Sequence, residues 1–170
     1  MNTRHAVTTT ELGEITLVAE GDALIGLYFP HHWYKPSQTA FGDRVRLSTH
    51  PLLSEAAAQL DEYLSGDRRT FDLRTATRGD AIQERVWELL KEIPFGQTTT
   101  YEALADALGD RTLAQSVGEA VGRNPLCVII PCHRVIGKDG RLTGYAGGLP
   151  RKRFLLGLEE PALVRAGRLF

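Results

Sequence analysis

Hydrophobic and polar residues alternate with a period of two in three short segments near the start of the chain. The segments 5–10, 13–19 and 23–29 show this alternation, and turn-forming residues such as Gly21 and Asp22 separate them. Because successive side chains of a strand point to opposite faces, the pattern predicts a small antiparallel sheet of three consecutive strands.

A helical period replaces the alternation further along the chain. Apolar residues recur at helical spacing over 51–64, and Gly66 follows, so we predict a helix packed on the sheet. The stretch 74–79 is polar and has no period, which places a domain boundary there. We therefore predict an N-terminal αβ domain over 1–76 and a second domain over 77–170.

The second domain is predicted to begin with an amphipathic helix. Asp80 is its N-cap, Gln83 completes a capping box, and Pro94 and Gly96 stop the helix. The apolar stripe of this helix consists of Ile82, Val86, Leu89, Leu90 and Ile93.

Two further helices follow, separated by a short turn. The first has Thr99 and Glu102 as a capping box and ends at Gly109, and the second has Thr112 and Gln115 as its box. This arrangement predicts a helix-turn-helix, although such a pair is more often a packing unit than a DNA-binding motif. The second helix consists largely of small residues, which suits a close approach to the narrow minor groove.

Charge is distributed unevenly along the chain. The net charge at pH 7 is -1, but residues 111–158 carry +6 and the remainder carries -7. A basic region of this kind attracts a nucleic-acid backbone, and it is equally typical of an ordinary solvated surface. Charge alone leaves both interpretations open.

The expected compartment is the cytoplasm. No apolar run approaches the roughly 20 residues of a membrane span, and the first ten residues lack the features of a signal peptide.

The chain has two cysteines, Cys127 and Cys132. If the apolar segment 126–130 is a buried strand, the two lie too far apart for a disulfide, so we expect two free thiols.

A polar trio, Cys132, His133 and Arg134, follows that predicted strand. A cysteine becomes a nucleophile as the thiolate, and an adjacent base and positive charge lower the thiol pKa. Cys132 is therefore a candidate nucleophile, whereas Cys127 is interpreted as a small buried hydrophobic residue. Adjacent strand residues face opposite sides, so Cys132 and His133 can cooperate only if the chain leaves the strand there or a water links them.

The motif Pro-Cys-His-Arg-Val at 131–135 has distinctive flanks, Arg-Asn-Pro at 123–125 and Gly-Tyr-Ala-Gly-Gly-Leu at 144–149. Together they resemble the O6-alkylguanine-DNA alkyltransferases, strongly over 80–159 and only in size and layout before that. The resemblance implies a ribonuclease-H-like N-terminal αβ domain and a mostly helical C-terminal domain with a minor-groove helix-turn-helix. It also implies a DNA-repair protein, monomeric when free, that uses no cofactor and consumes itself in one irreversible turnover.

The family mechanism gives five residues catalytic roles. By this resemblance, Cys132 accepts an alkyl group from guanine O6, or from thymine O4, in duplex DNA. His133 takes the thiol proton through a water, and Glu159 orients the imidazole. Tyr101 protonates the departing guanine. Asn124 is the hinge between the recognition helix, which is the second helix of the helix-turn-helix, and the segment that leads to Cys132.

The resemblance also implies a pocket for a base flipped out of the duplex. The amide of Ala146 would bind guanine O6, and the carbonyls of Cys132 and Val135 would bind the exocyclic amine. The pocket-wall residues are Val121, Cys127, Val135, Tyr145, Ala146 and Gly147. The DNA-binding residues are Thr100, Arg111, Gln115, Ser116, Gly118, Arg123, Arg134 and Lys152; for Arg134, Arg151 and Lys152, phosphate contact and a structural role are both open.

Two positions depart from the family pattern. Many members have an arginine that fills the gap left by the flipped base, whereas this chain has Gln115, so we hypothesise that Arg111 replaces it. Cys127 stands where some relatives have proline, which predicts an altered tolerance of bulky adducts.

Some relatives bind zinc in the N-terminal domain, but no cysteine precedes Cys127 here. We expect no metal, with His31, His32 and His50 as surface or loop residues.

Three other classes of protein share parts of this pattern. An alkyltransferase-like protein binds lesions without a reactive cysteine, and Cys132 argues against that class. A helix-turn-helix regulator would not need the Cys-His pair, and a turnover cysteine hydrolase would need a carbonyl substrate.

Overall fold

The chain divides into two compact units, 1–77 and 78–170, and a computed structural model describes residues 2–159. The N-terminal unit is a small sheet with one long helix, and the C-terminal unit is mostly helical. The strands of the first unit are β1 (Thr3–Thr10), β2 (Gly13–Glu20), β3 (Ala23–Tyr28) and β4 (Asp43–Arg44), in the order β3-β2-β1-β4.

The three strands predicted from alternation are confirmed as an antiparallel meander, in which β1 pairs with β2 and β2 with β3. The sheet as a whole is mixed, because β4 pairs with β1 in parallel through Arg4 and His5. The prediction of a purely antiparallel sheet is therefore wrong. A strand of two residues shows no alternation, so the sequence pattern gives no sign of it.

The helix α1 (Pro51–Leu64) has the predicted bounds. Proline occupies its first turn, and the side chain of His50 caps it by accepting a hydrogen bond from the backbone N–H of Leu53. Leu53 and Leu60 are fully buried on the face that packs against β2 and the rest of the sheet. Burial of this apolar face is what holds the helix on the sheet.

The C-terminal unit contains four helices and a two-stranded parallel sheet among its described residues. The helices are α2 (Ala81–Lys91), α3 (Tyr101–Ala107), α4 (Ala114–Gly122) and α5 (Leu149–Glu159), and the strands are β5 (Thr99–Thr100) and β6 (Val135–Ile136).

The first predicted capping box is confirmed, with Asp80 and Gln83 bonded reciprocally at the start of α2. The predicted apolar stripe is only partly buried, since Ile82 is 37% exposed. Trp87 packs inward, and its indole N–H donates to the carbonyl of Ala120 over 2.9 Å, which ties α2 to α4.

The other two capping boxes are wrong. Thr100 caps α3, because Thr99 is paired with Val135 in the small sheet. Ahead of α4, the carboxylate of Asp110 caps a 3₁₀ turn over Arg111–Leu113 and accepts the backbone N–H of Thr112. Counted from Asp110, the box position is Leu113, so Gln115 lies two residues too late to complete a box.

The turn between α3 and α4 follows the predicted chemistry. Gly109 has φ 92°, the left-handed conformation that residues with a Cβ rarely adopt.

The predicted strand over 126–130 is a tight turn instead. Val128 has φ 74°, and the backbone N–H of Ile130 donates to the carbonyl of Leu126 over 2.8 Å. Leu126, Cys127 and Ile130 are nonetheless buried. An apolar run predicts burial reliably, but burial alone does not distinguish a strand from a compact turn.

Within residues 2–159, no helix combines the length and the apolar character that crossing a bilayer requires. The same residues contain no group of three or more His, Cys, Asp or Glu side chains arranged to hold a metal ion.

The cap assignment can be tested by alanine substitution. We expect Asp110→Ala to lower the free energy of unfolding by about 1 kcal/mol, because it removes the cap of the helical segment. The matched change Gln115→Ala should stay within about 0.5 kcal/mol, as for most exposed positions. Urea denaturation measures the free energy of unfolding of both variants. If Gln115→Ala lowered it as much as Asp110→Ala does, the capping box of Thr112 and Gln115 would be supported after all.

Candidate active site

The nucleophile candidate Cys132 lies in a single 3₁₀ turn, Cys132–Arg134, that follows Pro131. All three residues of the turn are buried. The chain is thus helical at Cys132 and His133, so the alternation of a strand does not force their side chains to opposite faces. This meets the first of the two conditions that the sequence set for their cooperation.

The two cysteines are close to each other. Both thiols are free, as expected. The expected separation of the two cysteines is wrong, however, since their Sγ atoms lie 3.8 Å apart. The turn over 126–130 brings them together where an extended segment would have held them apart. Cys127 is fully buried and Cys132 is 3% exposed.

The surroundings of the two thiols differ. The hydrogen bond from Cys127 lowers the pKa of Cys132, burial opposes this, and the Asn124 side chain and the charge of Lys152 lower it further. The pKa of Cys127 is raised by the same hydrogen bond, by burial and by the charge on Cys132. The pair therefore carries its negative charge on Cys132.

Asn124 holds the turn between α4 and Cys132. It is 1% exposed, its side-chain amide donates to the carbonyl of Ile130 over 2.8 Å, and its side-chain oxygen accepts the N–H of Leu126 over 2.9 Å. One side chain thus closes both ends of the segment that carries Cys127.

A buried charge cluster surrounds His133. Its Nε2 atom lies 2.8 Å from the carboxylate of Glu159, and the guanidinium of Arg134 binds the same carboxylate through Nε and Nη2 at 2.7 and 2.8 Å. Arg134 also donates to the carbonyl of Ile93. Such a bidentate pair fixes the carboxylate in one orientation.

The pKa values of the cluster follow from these contacts. Burial would raise the pKa of Glu159, but His133 and Arg134 outweigh it and lower that pKa to about 2. Burial lowers the pKa of His133 against the opposing effect of Glu159. At neutral pH the site therefore holds a carboxylate and a neutral imidazole.

Lys152 is fully buried beneath the glycine-rich loop, residues 144–148. Its ammonium donates to the carbonyl of Val135 over 2.6 Å and lies 3.4 Å from the carbonyls of Thr143 and Gly144. Burial lowers its pKa to about 8, and the charge on Cys132 opposes this. The ammonium is thus largely protonated at neutral pH and supplies positive charge near Cys132.

Two of the predicted DNA-binding residues lie inside the protein. Lys152 and Arg134 are buried and bonded to protein groups, which favours the structural alternative, and a contact with phosphate stays a prediction. Arg151 likewise donates to the carbonyl of Gly147. Sequence alone does not distinguish a basic residue under a loop from one on the surface.

Tyr101 lies at the start of α3, where its hydroxyl is 2.6 Å from the hydroxyl of Thr143. Burial raises the pKa of Tyr101, the Thr143 hydrogen bond opposes this, and the charge on Cys132 adds to it. The phenol is therefore protonated at neutral pH. Thr143 was missed by the sequence analysis, because it is 42 positions away and outside any motif.

The residues predicted to form the pocket wall are all buried. The carbonyls assigned to the guanine amine already accept bonds within the protein: that of Cys132 from the N–H of Val135, and that of Val135 from Lys152. A carbonyl has two lone pairs, so each keeps the capacity for a second bond. The buried wall residues are Val121, Cys127, Val135, Tyr145, Ala146 and Gly147.

Several predicted DNA-binding residues form an exposed surface on and before α4. Gln115 and Ser116 are exposed, Arg111 pairs with Asp106 at 2.6 Å, and Arg123 pairs with Glu119 at 3.3 Å. Gly118 faces Tyr101, since a Cβ at that position would lie 3.8 Å from its ring. Thr100 is half-buried because it caps α3.

Comparison with known proteins gives matches over both units. Residues 3–77 match the ribonuclease-like domain of 6-O-methylguanine DNA methyltransferase, and residues 81–161 match the DNA-binding domain of the same family. The fold class is thereby confirmed as a small sheet with helices followed by a mostly helical unit.

Individual proteins similar to this chain belong to the same family. The chain is 42% identical over 150 residues to the methylated-DNA–protein-cysteine methyltransferase of Mycobacterium bovis, covering 88% of this chain and 87% of that one. It is 38% identical over 158 residues to the constitutive enzyme of that name from Bacillus subtilis, covering 92% and 94%. The crystal structure of Mycobacterium tuberculosis OGT in complex with DNA superposes with a TM-score of 0.84 at 38% identity, covering 93% of each chain. The chain therefore belongs to the 6-O-methylguanine DNA methyltransferase family.

Proposed function

We propose that this protein repairs DNA by transferring a methyl or other alkyl group from guanine O6 to its own Cys132, once per molecule. The observation that carries this proposal is a buried thiol whose surroundings favour the anion, followed in the same turn by a neutral imidazole that Glu159 holds in place. The relatives are methylated-DNA–protein-cysteine methyltransferases, which indicates the class of substrate. The geometry of the site indicates how the cysteine becomes a nucleophile.

The thiolate forms by transfer of the Cys132 proton to His133. Nε2 of His133 is held by Glu159, so the proton arrives at Nδ1, through a bridging water as in the family mechanism. The carboxylate stabilises the imidazolium that results, and Arg134 keeps the carboxylate ionised. Lys152 and Cys127 favour the charge left on the sulfur.

The alkyl carbon then moves from oxygen to sulfur. An S–C bond forms, the C–O6 bond breaks, and its electron pair stays on the guanine oxygen. Tyr101, protonated and close enough to sense the charge of Cys132, donates the proton that neutralises the guanine. The product is a thioether, which has no carbonyl for water to attack, so the protein is not regenerated.

We assign the DNA-binding role to the helix-turn-helix formed by α3 and α4. The short α4 carries small residues and the exposed Gln115 and Ser116, which suits the minor groove. Because O6 of a stacked guanine lies on the major-groove edge, a protein that binds the minor groove cannot reach it, so the nucleotide must be flipped into the pocket beside the loop 144–148. We also propose thymine O4 adducts as substrates, since they present the same alkyl-oxygen bond.

We propose that 1–76 and 77–170 act as separate domains, with DNA binding and chemistry both in the second. We propose further that the free protein is a cytoplasmic monomer.

Mass spectrometry tests the function directly. Incubation with duplex oligonucleotide containing O6-methylguanine should add one methyl group to Cys132 in each molecule and then stop. Cys132→Ser should leave the lesion in place, and Cys127→Ser, a matched change of the neighbouring thiol, should still become methylated. Lesion removal by Cys132→Ser, or repeated turnover by the unchanged protein, would contradict the proposal.

Replacing the buried carboxylate tests the charge cluster. At neutral pH, Glu159→Gln should destabilise the fold by about 3–5 kcal/mol, because it leaves the Arg134 guanidinium buried without its counter-charge. The surface pair of Glu62 with Arg68 is a matched control, and Glu62→Gln should cost less than about 1 kcal/mol.

The pH dependence has a defined sign. The pKa of Glu159 is lower in the folded protein, about 2 against an ordinary 4.5, so the unfolded chain binds the proton first. The contribution of Glu159 is therefore complete above pH 4.5 and is lost as the pH falls toward 2. Chemical denaturation across this range should show a decline that is weaker in Glu159→Gln; parallel curves would show that Glu159 is not the group responsible.

The identity of the gap-filling residue follows from two alanine variants. If Arg111 leaves Asp106 and fills the space of the flipped base, Arg111→Ala should slow methyl transfer from duplex DNA while leaving the reaction with free O6-methylguanine unchanged. Loss of duplex activity in Gln115→Ala but not in Arg111→Ala would assign the role to Gln115.

A further inference from the structure

The buried thiol of Cys127 has a position that its role as a pocket wall does not explain. Its Sγ atom is 3.8 Å from Sγ of Cys132 and 3.8 Å from the backbone carbonyl of Asn124. Both distances fit a hydrogen bond that involves sulfur. A thiol has one proton, so only one of the two acceptors can hold it fully at a time.

The direction of the S–H···S contact follows from what surrounds each sulfur. A carbonyl oxygen beside Cys127 repels an anion there and accepts a proton from it. Cys132 instead has the Asn124 side chain and the ammonium of Lys152 near it, and both favour negative charge. The thiolate therefore belongs on Cys132 and the proton on Cys127.

We propose that Cys127 is a positioning residue whose S–H donates a hydrogen bond to the Cys132 thiolate and so sets the pH range in which the nucleophile is ionised. This rests on the proposed role of Cys132 as the alkyl acceptor. The geometry of the turn supplies the contact: Asn124 closes the segment at Leu126 and Ile130, which fixes the sulfur of Cys127 beside the nucleophile.

Such a bond has two opposing effects on the rate. It increases the fraction of thiolate below the pKa, because a hydrogen bond to the charged form favours that form. It also withdraws electron density, and the nucleophilicity of a thiolate falls as its pKa falls. The two effects cancel at an intermediate pH and have opposite signs on either side of it.

When Cys132 becomes a thioether it loses its charge and most of its strength as an acceptor. The carbonyl of Asn124 then remains as an acceptor for the Cys127 proton. The donor bond is therefore present before the reaction and weakened after it, as expected for a group that acts on the nucleophile.

The test compares wild type with Cys127→Ala, which removes the donor, and Cys127→Ser, which keeps one of similar size. The second-order rate constant of Cys132 is measured against pH, first with iodoacetamide and then with O6-methylguanine duplex. We expect Cys127→Ala to move the profile to higher pH, with a rate about tenfold lower on the acidic limb and a higher plateau in alkali. Cys127→Ser should restore the wild-type profile.

A crossing of the alanine and wild-type profiles cannot come from loss of packing, which lowers the rate equally at every pH. Profiles that coincide in all three proteins, or an alanine profile lowered uniformly without a shift, would overturn the inference. The small electrophile reports the ionisation of Cys132 without DNA. Failure of the duplex reaction in wild type would refute the proposed function, while the iodoacetamide profiles would still decide the role of Cys127.

Discussion

The buried carboxylate of Glu159 is the interaction on which the site depends. It lies at the end of α5 and binds two consecutive residues, His133 and Arg134, of the turn that carries the nucleophile. Three groups that would each be costly to bury alone satisfy one another, and the pairing has one geometry. The position of the imidazole, one residue after Cys132 in the same turn, follows from that pairing.

Lys152 completes the arrangement from the same helix. Its ammonium binds carbonyls of β6 and of the glycine-rich loop, and its charge favours the thiolate. Thus one face of α5 supplies both an anion and a cation, seven residues apart, to the reactive turn and the strand that follows it. Structure and chemistry use the same groups here, so a change that disturbs one disturbs the other.

Sequence patterns predicted the elements with strong periods and missed those fixed by tertiary contacts. The meander, α1 and the Asp80 box follow from alternation, spacing and capping chemistry. The turn over 126–130 does not, because an apolar run is compatible with several buried conformations.

Long-range partners were beyond the reach of sequence patterns for a different reason. The motif around Cys132 identified the nucleophile and its base, and the family resemblance added Glu159, 26 positions from His133. Thr143 as the partner of Tyr101, and Cys127 as the neighbour of Cys132, depend on how the loops fold, which no local pattern encodes. The burial of Lys152 was hidden for the same reason, since a lysine in a basic segment is usually solvated.

The arginines beside α4 already have carboxylate partners on their own surface, Arg111 with Asp106 and Arg123 with Glu119. An arginine that turns to a phosphate must first give up its internal anion, so its net gain on the duplex is smaller than that of an unpaired cation. Fewer condensed counterions are then released on association than the number of basic residues implies. The salt dependence of the affinity for undamaged duplex should consequently be shallower than the number of basic residues implies, and the shape of the groove and the ease of extruding the base contribute to discrimination.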